Sequence, residues 1–310
     1  MKRKQSGFKI MMRLIKLVKP LAFFMVLAVI LGVTGFLCAI QITVVGSMTL
    51  LTAAGINGGL AIKTGCICII IFAVLRGFLH YGEQACNHYI AFKLLAIIRD
   101  KVFKSLRRLT PAKLEGKDKG NLISLITSDI ELLEVFYAHT ISPICIAFLT
   151  SLVMLIFIGR YSIWLMLVAL AAYITVGIII PLVSSKFNKN IGMTYRENSG
   201  ALSGYVLDSM RGLLESIRYN STDTRLNEMN EKTDELNSLQ KKLKKIEGRN
   251  ISITDISIIF FSITMLLVAI CLYQKGTIGF DGLIVSTVAM MSSFGPVAAL
   301  SNLAGNLTHT

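Results

Sequence analysis

Three ionisable residues, Arg76, His80 and Glu83, stand inside an otherwise apolar stretch. Their spacing puts them on one face of a helix. Charged groups inside a bilayer are costly and usually face protein or water rather than lipid. Two chemistries fit the trio. It could be a polar stripe on a translocation cavity, binding a charged solute such as an amino acid or a thiol peptide. It could instead be an intramembrane Arg–Glu pair, with Arg76 snorkelling toward the interface. Glu83 lies about 10 Å from Arg76 along the axis, so pairing needs extended side chains or His80 between them. Neither His80 nor His88 has a companion set for a metal, and no metal site is expected. Cys38, Cys66, Cys68, Cys86, Cys145 and Cys271 all fall in or beside apolar runs and form no CxxC pair. They read as buried small hydrophobes.

The elements that carry these residues must be membrane helices. The chain has 310 residues, of which 54% are apolar and 16% charged. A soluble globule carries about 25% charged residues, so a cytosolic enzyme, a coiled-coil rod and a disordered tail are all poor fits. From Pro20 to Ile62 there is no Asp, Glu, Lys or Arg. A bilayer core needs about 20 apolar residues per helix. Spans are expected at Leu21–Ser47 and at about 61–84, 135–158, 163–183, 251–273 and 283–303, with Thr52–Gly59 as an external turn. The fold class is therefore an all-α membrane protein with six transmembrane helices.

The formal charge of +14, from 32 Lys and Arg against 18 Asp and Glu, could mean nucleic-acid binding or basic loops beside a membrane. Position decides. Residues 1–20, 84–134 and 185–250 hold 28 of the 32 basic residues. The rest are Lys63, Arg160, Lys275 and the intramembrane Arg76. The basic side is cytoplasmic by the positive-inside bias, so both termini are expected there, in a multi-pass protein of the plasma membrane. Nucleic acid is not an expected partner. The N-terminal apolar run is too long for a signal peptide and shows no small-residue cleavage site. Phe8–Val18 mixes apolar and basic residues at helical spacing. Residues 1–19 therefore read as a cytoplasmic interfacial helix, and 20–310 as the membrane domain.

The two inner connections are about 50 and 65 residues long, whereas structureless loops beyond about 12–15 residues are uncommon in compact domains. Ile90, Leu94, Ile97, Ile98, Val102 and Leu106 recur at helical intervals in the first. Met229, Leu236 and Leu243 are spaced by sevens in the second, with Leu239 and Ile246 offset by three, a heptad-like stripe. Spans two to five should thus continue as helices, each connection forming a hairpin that protrudes roughly 35–40 Å. One tip falls at Thr110–Gly120, the other around Arg211–Tyr219 with Gly212 as the breaker. Rigid arms of this kind suit a device driven by a soluble partner. The alternatives are a secondary transporter or channel with no ATPase partner, and a non-transporting assembly scaffold. Pro143, Pro181 and Pro296 lie in or near spans, as hinges or as plain kinks.

This organisation resembles the transmembrane domain of type I ATP-binding-cassette (ABC) exporters. Leu95–Pro111 followed by Gly120–Asp129 carries the likeness, through Arg99, Phe103, Pro111, Gly120, Leu122 and Asp129. The resemblance implies that Pro111, Ala112, Lys113, Leu114, Glu115 and Gly116 form one coupling helix. Arg211, Gly212, Glu215 and Tyr219 would belong to a second. Asp129 and Glu131 read as partners of a neighbouring basic residue or as a solvated face. Tyr81, Glu83, His88, Phe92 and Arg99 are similar to a pattern in one subunit of the cysteine/glutathione exporters, with His80 where that pattern has Arg. The resemblance further implies a second subunit, as homo- or heterodimer. It also implies ATP and Mg bound on a nucleotide-binding domain, either in the same full-length chain or separate. No GxxxxGK[ST] occurs, so these 310 residues carry no phosphate-cradling loop.

Overall fold

A computed structural model describes residues 21–56, 60–109 and 141–306. Every regular element among them is helical. They are α1 (Ala22–Ala53), α2 (Ile62–Leu109), α3 (Ser142–Gly159), α4 (Ile163–Ile174), a π-helical segment (Thr175–Ile179), α5 (Ile180–Arg211), α6 (Leu213–Arg218), α7 (Thr222–Gln274) and α8 (Phe280–Asn306). Among the described residues, six helical stretches are long and apolar enough to cross a membrane: Ala22–Ala53, Ile62–Arg108, Ser142–Gly159, Ile163–Ser184, Thr222–Gln274 and Phe280–Ser301. Each contains or overlaps one of the expected spans. The interfacial helix at 1–19 lies outside the described residues, as does the first tip with Pro111, Ala112, Lys113, Leu114, Glu115 and Gly116. Gly120, Leu122, Asp129 and Glu131 lie outside them too.

Element ends differ from expectation where polar side chains find partners within their own helix. α1 runs on to Ala53, so Thr52 is helical and the turn begins at Ala54. The Thr49 and Thr52 hydroxyls donate back to the carbonyls of Val45 (2.8 Å) and Met48 (3.2 Å). Such back-bonding lets a hydroxyl sit in an apolar helix without water. Gly55 then takes φ 77°, a left-handed conformation that ends α1. Of the three prolines, Pro143 opens α3 and Pro181 is the second residue of α5, just after the π-helical segment that ends at Ile179. At both places the regular backbone ladder is already interrupted. Pro296 alone lies inside its helix.

The chain divides into two compact units, residues 1–171 with 261–297, and 172–260 with 298–310. In the first, α1 and α2 pack antiparallel. Gly32 lies against Glu83, Gly35 against Leu79, Gly46 against Ile69, and Thr49 against Gly65. In lipid, apolar side chains gain little by leaving one apolar phase for another. Association rests on close packing, which small residues permit. Below this crossing Leu21, Ile90, Leu94, Leu95 and Ile98 form a buried cluster, with Phe24, Met25, Val102 and Ile141 packed on it. The stripe read from sequence along the first inner connection is thus the buried face of α2.

In the second unit, α5 and α7 run antiparallel. Asn198 Nδ2 donates to Glu235 Oε1 (3.0 Å), Tyr205 Oη to Glu228 Oε2 (2.7 Å), and Arg225 to Ser209 Oγ (3.3 Å). Asn250 Nδ2 donates to Ser184 Oγ where the arms re-enter apolar sequence. These four pairs keep one register along the arms. Leu243 is buried, and Met229, Leu236, Leu239 and Ile246 are half-buried, so the heptad-like stripe faces inward. From Ser184 to Gly212, and back from Thr222 to Asn250, each arm extends roughly 40 Å.

Candidate functional site

The polar trio sits on α2 in the first unit. Its members share one arc but not one environment. Glu83 is turned inward, its side chain 8% exposed, while the His80 side chain is 62% exposed. The carboxylate occupies a clearance left by Gly32. A Cβ on Gly32 would stand 3.2 Å from the Glu83 carboxyl carbon and 2.9 Å from Ile146 Cγ1 on α3. Gly32 therefore sets how closely α1, α2 and α3 meet, and Glu83 fills the junction. His80 Nδ1 lies 3.3 Å from Glu83 Oε2. Arg76 is exposed, and among the described residues it makes no ion pair with Glu83. The Arg–Glu pairing is thus corrected to a His80–Glu83 contact. Two turns separate Arg76 from Glu83, and only the Glu83 level is covered by Gly32 and Ile146.

Sequence reasoning missed the partners at this junction. Asn87, one turn from Glu83, is buried. On α3, Ser142 and Thr150 flank Ile146, and both hydroxyls are buried with no hydrogen-bond partner among the described residues. Ser142, Ile146 and Thr150 recur every fourth residue and so share one helix face. The available signals were the Gly32-x-x-Gly35 spacing in α1 and two hydroxyls at helical spacing in an apolar run. Among the described residues no three His, Cys, Asp or Glu side chains gather as a metal site. The cysteines need a correction. Only Cys38 is buried, and Cys66, Cys145 and Cys271 are exposed on the surface of the chain. A membrane helix can turn a small apolar side chain outward without an aqueous penalty, so apolar character did not imply burial.

The second candidate is the tip of the α5–α7 hairpin. Gly212 ends α5 with φ −92° and ψ 17°, its N–H donating to Asp208 O at 2.9 Å. α6 then crosses the tip over Leu213–Arg218 and ends at Tyr219. Ser216 is buried beneath it and donates to Gly212 O at 3.0 Å. Glu215 and Arg218 pair at 3.6 Å on its surface. Asn220, at φ 51°, turns the chain into α7, a backbone region that Asn tolerates better than most residues. The breaker thus falls at Gly212, and Arg211, Gly212, Glu215 and Tyr219 all lie at the tip. The sequence reading did not single out Leu213, Leu214 and Ile217. These are 53%, 75% and 59% exposed, beside Tyr219 at 80%. Large apolar residues at a loop tip, where polar ones are the rule, were the signal. Behind the tip, the hydrogen bond from Tyr205 to the Glu228 carboxylate pushes the Tyr205 pKa up. Burial adds to the shift, and the nearby Arg225 opposes it.

Residues 21–297 match the model of the ABC transporter transmembrane region. The chain belongs to that family. This ABC membrane region is 43% identical over 307 residues to a probable ABC transporter ATP-binding/permease protein of Haemophilus influenzae, covering 99% of this chain and 56% of that protein. It is 24% identical over 183 residues to an ATP-dependent lipid A-core flippase of Shewanella denitrificans, covering 59% and 30% of the two chains. It is 23% identical over 151 residues to a glutathione/L-cysteine transport system ATP-binding/permease protein of Haemophilus influenzae, covering 49% and 26%. The chain therefore spans about half the length of the first of these relatives, and less of the others. The family and the six apolar stretches make this ABC region a multi-pass membrane protein.

Proposed function

We propose that the chain forms the translocation pathway of an ATP-driven exporter, and that α6 is where an ATPase domain grips it. The observation that carries this reading is the apolar tip. Leu213, Leu214, Ile217 and Tyr219 are exposed at the end of arms roughly 40 Å long, a distance at which lipid cannot cover them. An exposed apolar patch so placed calls for a protein partner. The partner is a nucleotide-binding domain that binds ATP with Mg, on the same full-length polypeptide or separate. The 43%-identical ATP-binding/permease relative, almost twice as long as this chain, supports it. Pro111–Gly116 would supply the companion contact. The arms then lie in the cytoplasm with both termini, and the spans in the plasma membrane. Family membership favours this reading over a channel or a secondary transporter.

A second copy or a different subunit would complete the pathway. Arg76 and His80, exposed on the single chain, would then line the shared cavity with Glu83 behind them. An exposed cation on the arc that also carries the buried Glu83 suits a zwitterionic solute, either cysteine, glutathione or another amino-acid-like compound. The likeness to the glutathione/L-cysteine system supports that choice.

The test uses the complete protein in proteoliposomes. The double substitution Leu214→Ala with Ile217→Ala should leave ATP hydrolysis measurable while lowering uptake of labelled cysteine or glutathione at least tenfold. Uptake that stays at the unsubstituted level would remove the coupling role. Absence of uptake of either solute by the unsubstituted protein would remove the substrate.

A further inference from the structure

The outward face of α7 carries a ladder of cations that the coupling reading does not use. Lys241, Lys245 and Arg249 recur every fourth residue, with Lys242 beside them, and all four are exposed. On a regular helix they fall within an arc of about 100°, opposite the inward face of Leu236, Leu239, Leu243 and Asn250. Among the described residues no ion pair engages any of the four. Lys244, which points elsewhere, is taken up by Glu247 at 2.8 Å.

The same face changes character where α7 enters the expected fifth span. Ile253, Ile256, Ile259 and Phe260 are 44%, 66%, 59% and 62% exposed. Ile256, Ile259 and Phe260 continue the arc of the ladder, and Ile253 borders it. Arg249 stands about 3 Å, and Lys245 about 9 Å, before Ile251 along the axis. The headgroup layer of a leaflet is about 5–7 Å deep. Acyl chains lying on the apolar stripe would thus bring a phosphate to Arg249 and Lys245, with Lys241 and Lys242 just beyond.

We infer that this face of α7 is a binding site for an anionic phospholipid of the leaflet on the hairpin side. The lipid's tails would lie along Ile256, Ile259 and Phe260, and its phosphate against Lys245 and Arg249. Two features set it apart from a general basic bias. The cations lie on one arc, and that arc continues as exposed apolar surface. A soluble phosphate would use the first feature but not the second. The exposed Asp255, about 9 Å along the axis on the bilayer side of Arg249, opposes an anion and tunes the site downward.

The single tryptophan, Trp164, makes a direct test possible. In the full-length protein, Trp164→Phe with Ile256→Trp places the only indole of this region beside the site. Nanodiscs of phosphatidylcholine with a minority of phosphatidylglycerol are prepared twice, with bromine on one lipid or on the other. Brominated phosphatidylglycerol should quench the indole well beyond its mole fraction. One basic group near a membrane surface is worth about a fivefold change in partitioning. Lys245→Gln with Arg249→Gln should therefore return quenching to the bulk ratio, and Asp255→Asn should raise it. About 1 M salt, where the Debye length is about 3 Å, should lower the enrichment. Quenching in proportion to bulk composition in the parent, or enrichment unmoved by Lys245→Gln with Arg249→Gln, overturns the proposal. Displacement by millimolar inorganic phosphate would assign the cations to a soluble anion and equally overturn it. None of these readings depends on ATP hydrolysis or transport, so the coupling proposal can fail without touching this one.

Discussion

Replacing Gly32 by alanine should separate α1 from α3 and displace Glu83. The added Cβ would lie 2.9 Å from Ile146 Cγ1, closer still to its Cδ1, and 3.2 Å from the Glu83 carboxyl carbon. Real Cβ atoms do not tolerate the first contact, so Ile146 or the helix must shift. Overpacking of this kind costs about 1–3 kcal/mol. Alanine's higher helix propensity offsets at most about 1 kcal/mol of it. Gly204 supplies the control. On the exposed arm α5 its Cβ would meet nothing within 4 Å, so Gly204→Ala should stabilise by roughly 0.5–1 kcal/mol. One substitution type thus has opposite signs at two sites of one chain. Ile146→Val removes Cδ1, the nearer of the two clashing atoms, and alone should cost about 0.5–1.5 kcal/mol. Combined with Gly32→Ala it should cost less than the two singles together, an interaction energy of about 1 kcal/mol or more. The assay is an SDS titration of purified protein followed by Trp164 fluorescence. If Gly32→Ala is neutral, or Ile146→Val fails to compensate it, the packing of α1 on α3 at Glu83 is wrong.

Arg76→Ala, at an exposed position, should leave the SDS midpoint unchanged and lower transport. Glu83→Ala should lower the stability read from the same titration by about 1–3 kcal/mol, because it empties a packed junction. Thr254 and Ser301 hydroxyls lie 2.7 Å apart and both are buried. In the same titration Thr254→Val should cost about 0.6–1.7 kcal/mol, the range of hydrogen bonds between membrane helices. The Tyr205 pKa is raised by its bond to Glu228, so folding favours its neutral form. That contribution is complete below the unfolded tyrosine pKa near 10.0 and is lost as pH rises through the higher folded value. Absorbance titration of tyrosinate should show one late-ionising group that disappears in Tyr205→Phe. A curve unchanged by that substitution would contradict the assignment.

What the sequence made legible follows from which solvent surrounds each segment. Along the arms the solvent is water, so burial leaves a period. Met229, Leu236 and Leu243 announced the inward face of α7, Ile90, Leu94 and Ile98 that of α2, and Gly212 the break between α5 and α6. Inside the spans both lipid and neighbouring helices are apolar, and the period vanishes. Ile146, which is buried, and Ile256, which is 66% exposed, are the same residue type with no sequence mark between them. Cys38 and Cys271 differ in the same hidden way. Polar residues are informative in that phase because misplacing them is costly. Yet Arg76 and Glu83 show the limit. Helical spacing gives the arc, but which level of the arc a neighbour covers depends on where two helices cross. That crossing was written not in the charges but in the absence of a side chain at Gly32. Within a membrane domain the glycines of one helix therefore locate the buried polar group of the next, and the acid becomes readable only after the glycine opposite it has been found.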